Sequence, residues 1–211
     1  MTRLVVDPAR PDPAAIERAA QSLQRGGVVA IPTDTLYGLA VDPFNAAAVA
    51  RVFAIKGRSE ERALPLVAAN TAQVRAWLGE LPALAARLAQ SFWPGPLTLV
   101  MRAPLALAAG VTGDRETVGI RVPAHAVTRA LCSAFARPLT ATSANMSGEP
   151  ATDDPDEVAS SLGDRLDVLL DSGPTPGGPP STIVDVTGAE PQLIRAGAVS
   201  WDDVQACAHR E

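Results

Sequence analysis

The sequence predicts an α/β fold. Short apolar runs such as Val28-Val29-Ala30-Ile31 and Leu97 to Met101 read as buried strands, capped amphipathic stretches lie between them, and the two kinds alternate along the chain. The first helix starts at Asp12, a good N-cap, with Pro13 suited to the first helical position. Ile16, Ala19, Ala20 and Leu23 make its apolar face, and Gly26-Gly27 stops it. The strand Val28–Ile31 follows and is closed by Pro32. A helix then runs from about Asn45 through Val49, Val52 and Phe53 to Gly57. Leu64 to Ala68 reads as another strand.

Two helices come next, one carrying Val74, Trp77 and Leu78, the other starting at Pro82 with Leu84, Leu88 and Phe92. Trp93-Pro94-Gly95-Pro96 breaks the chain before the strand Leu97–Met101. A strand at Thr117–Val122, a helix at Ala124–Ala136 and a strand at Pro138–Thr142 are expected in that order. Asp154-Pro155-Asp156-Glu157 has the form of a capping box. Val168–Leu170 and Ile183–Val186 read as strands, and Ser200 caps a last short helix. Ser172 to Pro180 must be an irregular loop. It is too short, and its flanks too strand-like, to link two domains, so residues 1–211 are expected to form one domain.

Composition narrows the functional classes. With 47% hydrophobic and 19% charged residues, the chain is globular rather than disordered. Only 4% is aromatic, so the core is aliphatic. No apolar run approaches the ~20 residues of a membrane span, and no signal peptide is visible, so a cytoplasmic protein without membrane association is expected. Two cysteines, Cys132 and Cys207, and two histidines, His125 and His209, make a His/Cys zinc site improbable; no metal-ligating residue is assigned. The net charge of −5 argues against general nucleic-acid binding.

Six segments carry hydrogen-bonding or charged residues at strand or helix ends, where ligands bind in open α/β sheets. Pro32-Thr33-Asp34-Thr35-Leu36-Tyr37-Gly38 offers two hydroxyls around an aspartate, either to hold a polar substrate or with Asp34 capping backbone amides. Lys56-Gly57-Arg58, with Arg62, is a candidate phosphate clamp, although cations also suit a helix C-terminus. Lys56 is the one lysine among 18 basic residues, and a compact ammonium is not interchangeable with a guanidinium. Thr142-Ser143-Ala144-Asn145-Met146-Ser147 presents three hydroxyls and a carboxamide in six residues. Arg121 lies in an apolar strand and must face an anion, an internal carboxylate or a substrate. Ser181-Thr182 opens a strand, and Arg195 closes one. There is no Walker A loop and no G-x-S-x-G elbow, and neither histidine adjoins a serine motif.

Together PTDTLYGL, KGR, WPGPLTLV, VGIRVP, TSANMSG, STIVDV and LIRAG resemble the threonylcarbamoyl-AMP synthases, the YrdC-domain family, in the same order and from about Arg18 to Gly197. Lys56-Gly57-Arg58 and Ser143-Ala144-Asn145 match the family's K-x-R and S-x-N pairs. The resemblance implies an open twisted sheet with flanking helices and a concave ligand cavity. It implies condensation of L-threonine, bicarbonate and ATP, with Mg²⁺, to threonylcarbamoyl-AMP and pyrophosphate. A separate transferase complex would then pass the group to tRNA, and direct tRNA binding is expected to be weak.

By position the resemblance places Thr35, Arg121, Ser143 and Ser181 at threonine. It places Lys56, Arg58, Arg62, Thr117, Ala141, Ser143, Ala151 and Arg195 at ATP. Lys56, Arg58, Ser143 and Asn145 are its catalytic candidates. Relatives often carry a histidine in the strand after K-x-R; Leu64-Pro65-Leu66-Val67-Ala68-Ala69 has none. With no covalent nucleophile evident, catalysis by positioning and charge neutralisation is expected, and the Ser172–Pro180 loop is expected to close over the threonine site.

Overall fold

A computed structural model describes residues 1–57, 63–113 and 115–210. Its elements, in chain order, are β1 (Thr2–Val5), α1 (Pro13–Gln24), β2 (Val29–Ile31), β3 (Gly38–Ala40), α2 (Ala46–Lys56), β4 (Leu66–Val67), α3 (Thr71–Leu78), α4 (Ala83–Phe92), β5 (Leu97–Arg102), α5 (Ala109–Thr112), β6 (Thr117–Arg121), α6 (Ala126–Phe135), β7 (Leu139–Thr140), β8 (Thr142–Ser143), α7 (Pro155–Leu162), β9 (Val168–Asp171), β10 (Thr182–Asp185), β11 (Gln192–Arg195) and α8 (Trp201–Ala208).

The α/β class holds, with the strands divided between two mixed sheets. One runs β1-β9-β2-β3-β8; the other runs β11-β10-β5-β6-β4-β7. In the first, β1 and β2 flank β9 in parallel, while β3 pairs antiparallel with β2 and β8. In the second, β5–β10 and β4–β6 are parallel. One apolar cluster joins Val52, Leu88, Leu97, Leu99 and Ile120; another packs Ile16 and Leu23 of α1 and Leu131 of α6 against Leu139 and Leu170. Each fully buried leucine contributes about 1.5–3 kcal/mol.

The two sheets separate at Ala141. The strand expected at Pro138–Thr142 is two strands, because Thr140 pairs with Leu66 in one sheet and Thr142 with Leu39 in the other. Between them the Ala141 N–H donates to Pro65 O at 2.8 Å. The small-residue run is thus the crossing point, and it brings Ser143 beside Gly38.

Other expectations shift locally. The helix placed at Ala124 begins at Ala126, with His125 an extended N-cap at φ −76° and ψ 121°. At α7, Asp154 caps the Asp156 N–H, but its own N–H donates to Thr152 Oγ1 at 3.0 Å, so Glu157 does not close a capping box. Strands β1 and β3 were not anticipated. The first is held by parallel pairing to β9 and by Arg3, whose guanidinium reaches Asp171 at 2.7 Å and Asp156 at 2.6 Å. The second, Gly-Leu-Ala, is set by its two neighbours rather than by propensity.

Candidate functional site

A cavity of about 300 Å³ opens between the sheets. Thr33, Thr35 and Gly38 reach it from the end of β2 and from β3. Pro65 to Val67 come from β4, Thr98 from β5, Arg121 from the end of β6, and Ala141 to Ser143 from the crossing. Ser181 and Arg195 complete it from β10 and β11. All four positions expected at threonine (Thr35, Arg121, Ser143 and Ser181) therefore meet in one cavity, with Ala141 and Arg195 from the nucleotide set.

Arg121 is 8% exposed. Burial pushes its guanidinium below the usual range; Asp34's charge works against that shift and Arg195's adds to it. Its Nη1 lies 3.2 Å from Asp34 Oδ1, near enough for an ion pair, yet not aligned for a hydrogen bond. Arg121 faces an internal carboxylate, and it also lines the cavity. Asp34, by contrast, caps no backbone amide: neither of its oxygens accepts a hydrogen bond.

Ser181 and Arg195 form a unit. Arg195 Nη2 donates to Ser181 O at 2.7 Å and to Ser181 Oγ at 3.2 Å, and Ser181 Oγ lies 2.9 Å from Thr98 Oγ1. Burial also lowers the Arg195 pKa. Gly197 permits this arrangement: a Cβ there would stand 2.2 Å from Pro180 O and 2.6 Å from Ser181 C.

Lys56 ends α2, followed by Gly57 in the left-handed region at φ 64°. Its side chain does not fold onto its own helix terminus. The ammonium donates to Ser143 O at 2.6 Å, Asn145 O at 3.0 Å, Asn145 Oδ1 at 3.1 Å and Ser143 Oγ at 3.4 Å, while Ser147 N–H donates to Lys56 O at 2.8 Å. Lys56 is 3% exposed. The K-x-R lysine and the S-x-N pair are thus joined directly.

Lys56, Asn145, Thr117 and Ala151 do not line the cavity. Lys56 and Asn145 stand one contact behind it, through Ser143. Thr117 lies at the start of β6, at the opposite end from Arg121, and Ala151 precedes the residue whose carbonyl accepts the Tyr37 N–H. Arg58 and Arg62 lie outside the described residues.

The Ser172–Pro180 loop is more tethered than a lid requires. Thr175 Oγ1 and Gly177 N–H both donate to Thr35 O, at 2.7 and 2.9 Å, and Tyr37 Oη donates to Gly173 O at 2.8 Å. At its far end the Ala198 N–H donates to Pro180 O at 2.9 Å, and Pro180 lines the cavity. A further contact escaped sequence reasoning: His125 Nε2 lies 3.5 Å from Ser172 Oγ, although 47 residues separate them. Its Nδ1 is buried with no hydrogen-bond partner, so no bonded Ser-His-Asp relay forms. Burial lowers the His125 pKa, opposed by Asp34 and assisted by Arg129. Cys132 is sealed in the core and its thiol is pushed up to about 12, which removes it as a nucleophile.

Residues 21–197 match the family profile named for Sua5, YciO and YrdC and described as "Telomere recombination". The chain belongs to the Sua5/YciO/YrdC family. The threonylcarbamoyl-AMP synthase of Halorhodospira halophila is 45% identical over 158 residues, 75% of this chain and 83% of that protein. The Vibrio cholerae threonylcarbamoyl-AMP synthase is 39% identical over 184 residues, 86% and 97% of the two chains. Among solved structures, Pyrococcus abyssi Sua5 complexed with L-threonine superposes with a TM-score of 0.93 at 34% identity, covering 98% of this chain. This chain spans 61% of that protein's length. Escherichia coli YciO superposes at 0.85 with 25% identity over 95% of this chain and 98% of that one. The Sua5/YciO/YrdC fold thus accounts for both sheets and the cavity between them.

Proposed function

We propose that this chain is a threonylcarbamoyl-AMP synthase, an ATP-dependent nucleotidyltransferase acting on L-threonine and bicarbonate for tRNA modification. The observation that carries the reading is the cavity itself. An amino-acid-sized space is lined by two guanidinia, Arg121 and Arg195, with the hydroxyls of Thr35, Ser143 and Ser181 around them. The likeness to a Sua5 complexed with L-threonine and to proteins named as this synthase supports it.

In this reading Arg121 takes the threonine carboxylate and the hydroxyl groups orient the side chain. The amine joins the carbon of bicarbonate with loss of water, giving an N-carboxylate. An oxygen of that carboxylate attacks the α-phosphorus of ATP, and the bond to pyrophosphate breaks. Arg195 and the S-x-N segment, held by Lys56, position the nucleotide, and Arg58 and Arg62 are assigned to its phosphates. The chain's contribution is proximity and charge.

Among the described residues no group of three or more His, Cys, Asp or Glu side chains converges to hold a metal ion. The Mg²⁺ is assigned to the ATP phosphates, and no step is routed through it. Among the same residues no helix is long and apolar enough to cross a membrane. Transfer to tRNA is assigned to a separate complex.

The test is pyrophosphate release from ATP and Mg²⁺ with threonine and bicarbonate together and each omitted. Release that needs both is expected. Release indifferent to threonine would refute the assignment.

A further inference from the structure

Behind the cavity wall lies a cluster of charge that the proposed reaction does not use. Asp34, Arg121, His125 and Arg129 come from the segment after β2, the end of β6, the turn after it and α6. Five of their side-chain atoms are sealed from solvent without a hydrogen-bond partner: both Asp34 oxygens, Arg121 Nη1, His125 Nδ1 and Arg129 Nε. Buried polar atoms are nearly always paired, so such a group calls for an explanation.

The three nitrogens of Arg121 are not equivalent. Nη1 is sealed and points at Asp34, 3.2 Å from Oδ1. Nε and Nη2 are not among the sealed atoms, and Arg121 lines the cavity. The Nε–Nη2 edge is the side of a guanidinium that takes a carboxylate with two parallel hydrogen bonds. Asp34 itself does not line the cavity, so it does not touch a ligand there. Its side chain and that of Arg121 are each 10% exposed.

Among the described residues no hydrogen bond holds the Arg121 guanidinium; its one ion pair is with Asp34, and the charge of Arg195 opposes it. We propose that Asp34 is a positioning residue for the amino-acid substrate: from behind the cavity it holds Arg121 so that the Nε–Nη2 edge faces the threonine carboxylate. This rests on the reading of the cavity as a threonine site and adds to it a residue that never meets the substrate. A buried pair serving stability alone predicts no selective effect on threonine.

The experiment is steady-state pyrophosphate release by the full chain, with threonine and ATP varied separately. Asp34→Asn keeps the shape and removes the charge. It is expected to raise the threonine KM about tenfold or more and to move the ATP KM less than twofold. In an Arg121→Gln background the same change is expected to alter the threonine KM less than twofold, because its route runs through Arg121. Equal movement of both KM values, additive effects in the double variant, or a threonine KM unchanged or lowered would overturn the proposal.

If Asp34→Asn does not fold, Asp34→Glu decides. Its longer arm displaces the guanidinium, and the threonine KM is expected to rise at least threefold with that for ATP unmoved; an unmoved threonine KM overturns the role. Wild-type protein that ignores threonine would sink the synthase reading. Wild-type protein that requires threonine, with Asp34→Asn indistinguishable from it, would sink only the role of Asp34.

Discussion

Replacing Lys56 by methionine separates its charge from its bulk. Among the described residues the ammonium, with its three protons, has four acceptors within 3.4 Å, so it makes at most three of those bonds at once. The two strongest go to the carbonyls of Ser143 and Asn145. The Asn145 carbonyl loses its donor at about 1–3 kcal/mol, whereas the Ser143 carbonyl loses its shorter bond but keeps the Asn145 N–H at 3.0 Å. Ser143 borders the cavity, where water can replace part of the loss, so the sum falls near ~3 kcal/mol. For a domain of this size that is a fall in melting temperature of about 6–12 °C. Turnover is expected to fall about 10²-fold or more, the scale for one preorganised charge. Lys56→Arg keeps the charge but brings a planar fork into a space 3% exposed and shaped for a compact ammonium, so it should lose stability as well. Thermal unfolding followed by circular dichroism, with pyrophosphate release on the same samples, checks both. A Lys56→Arg variant with wild-type melting and turnover would refute the reasoning, because it would show that charge alone matters at this position.

Two further outcomes follow from local geometry. Gly197→Ala places a methyl 2.2 Å from Pro180 O, and the backbone must move. Because Ser181 rides on that contact, the variant should melt several degrees lower and show a raised threonine KM in the release assay; an unchanged KM would mean that Ser181 does not serve the amino acid. His125 has a folded-state pKa below its ordinary 6.5. Above about pH 7.5 it is neutral in both states and contributes no pH dependence. As pH falls through 6.5 the unfolded chain takes up a proton that the folded chain refuses, so stability declines until the lower folded value is passed. Melting temperatures at pH 7.5 and 5.5 should therefore differ more in the wild type than in His125→Gln, and equal differences would count against a buried neutral imidazole.

How far the sequence spoke depends on whether an element makes its own case. Helix α1 declared itself through Asp12, Pro13 and an apolar stripe, and Asp12 does cap Ala14 N–H at 3.2 Å. Strands β5 and β6 declared themselves through apolar runs. Strand β3 could not, since Gly38-Leu39-Ala40 has weak strand propensity and exists by pairing on both sides. Strand β11 was legible only as a strand-end arginine, because all four of its residues are exposed and offer no buried face to read. At the site, the family resemblance pointed to Thr35, Arg121, Ser143 and Ser181, which converge. What it could not convey was which partner each would take. Asp34 was open to a capping role until the fold placed it behind Arg121. His125 and Ser172 meet across 47 residues, a pairing that no local pattern encodes.

The lone lysine draws these threads together. The chain must pass from one sheet to the other at Ala141, and the residues just after that crossing form one wall of the cavity. A crossing of small residues has few side-chain contacts with which to hold its shape, and backbone carbonyls turned away from either sheet need donors. Lys56 supplies them from the end of α2, on a helix anchored in the core by Val52 and Phe53. A guanidinium at the same point would arrive with its donors confined to a plane; an ammonium meets carbonyls that approach from different sides. The position therefore selects lysine in a chain that elsewhere uses arginine, and the same bonds that shape the wall fix Ser143 where both proposed substrates would meet. Structural and catalytic demands coincide at Lys56, so its substitution should lower melting temperature and turnover together, whereas Asp34→Asn should act selectively on threonine.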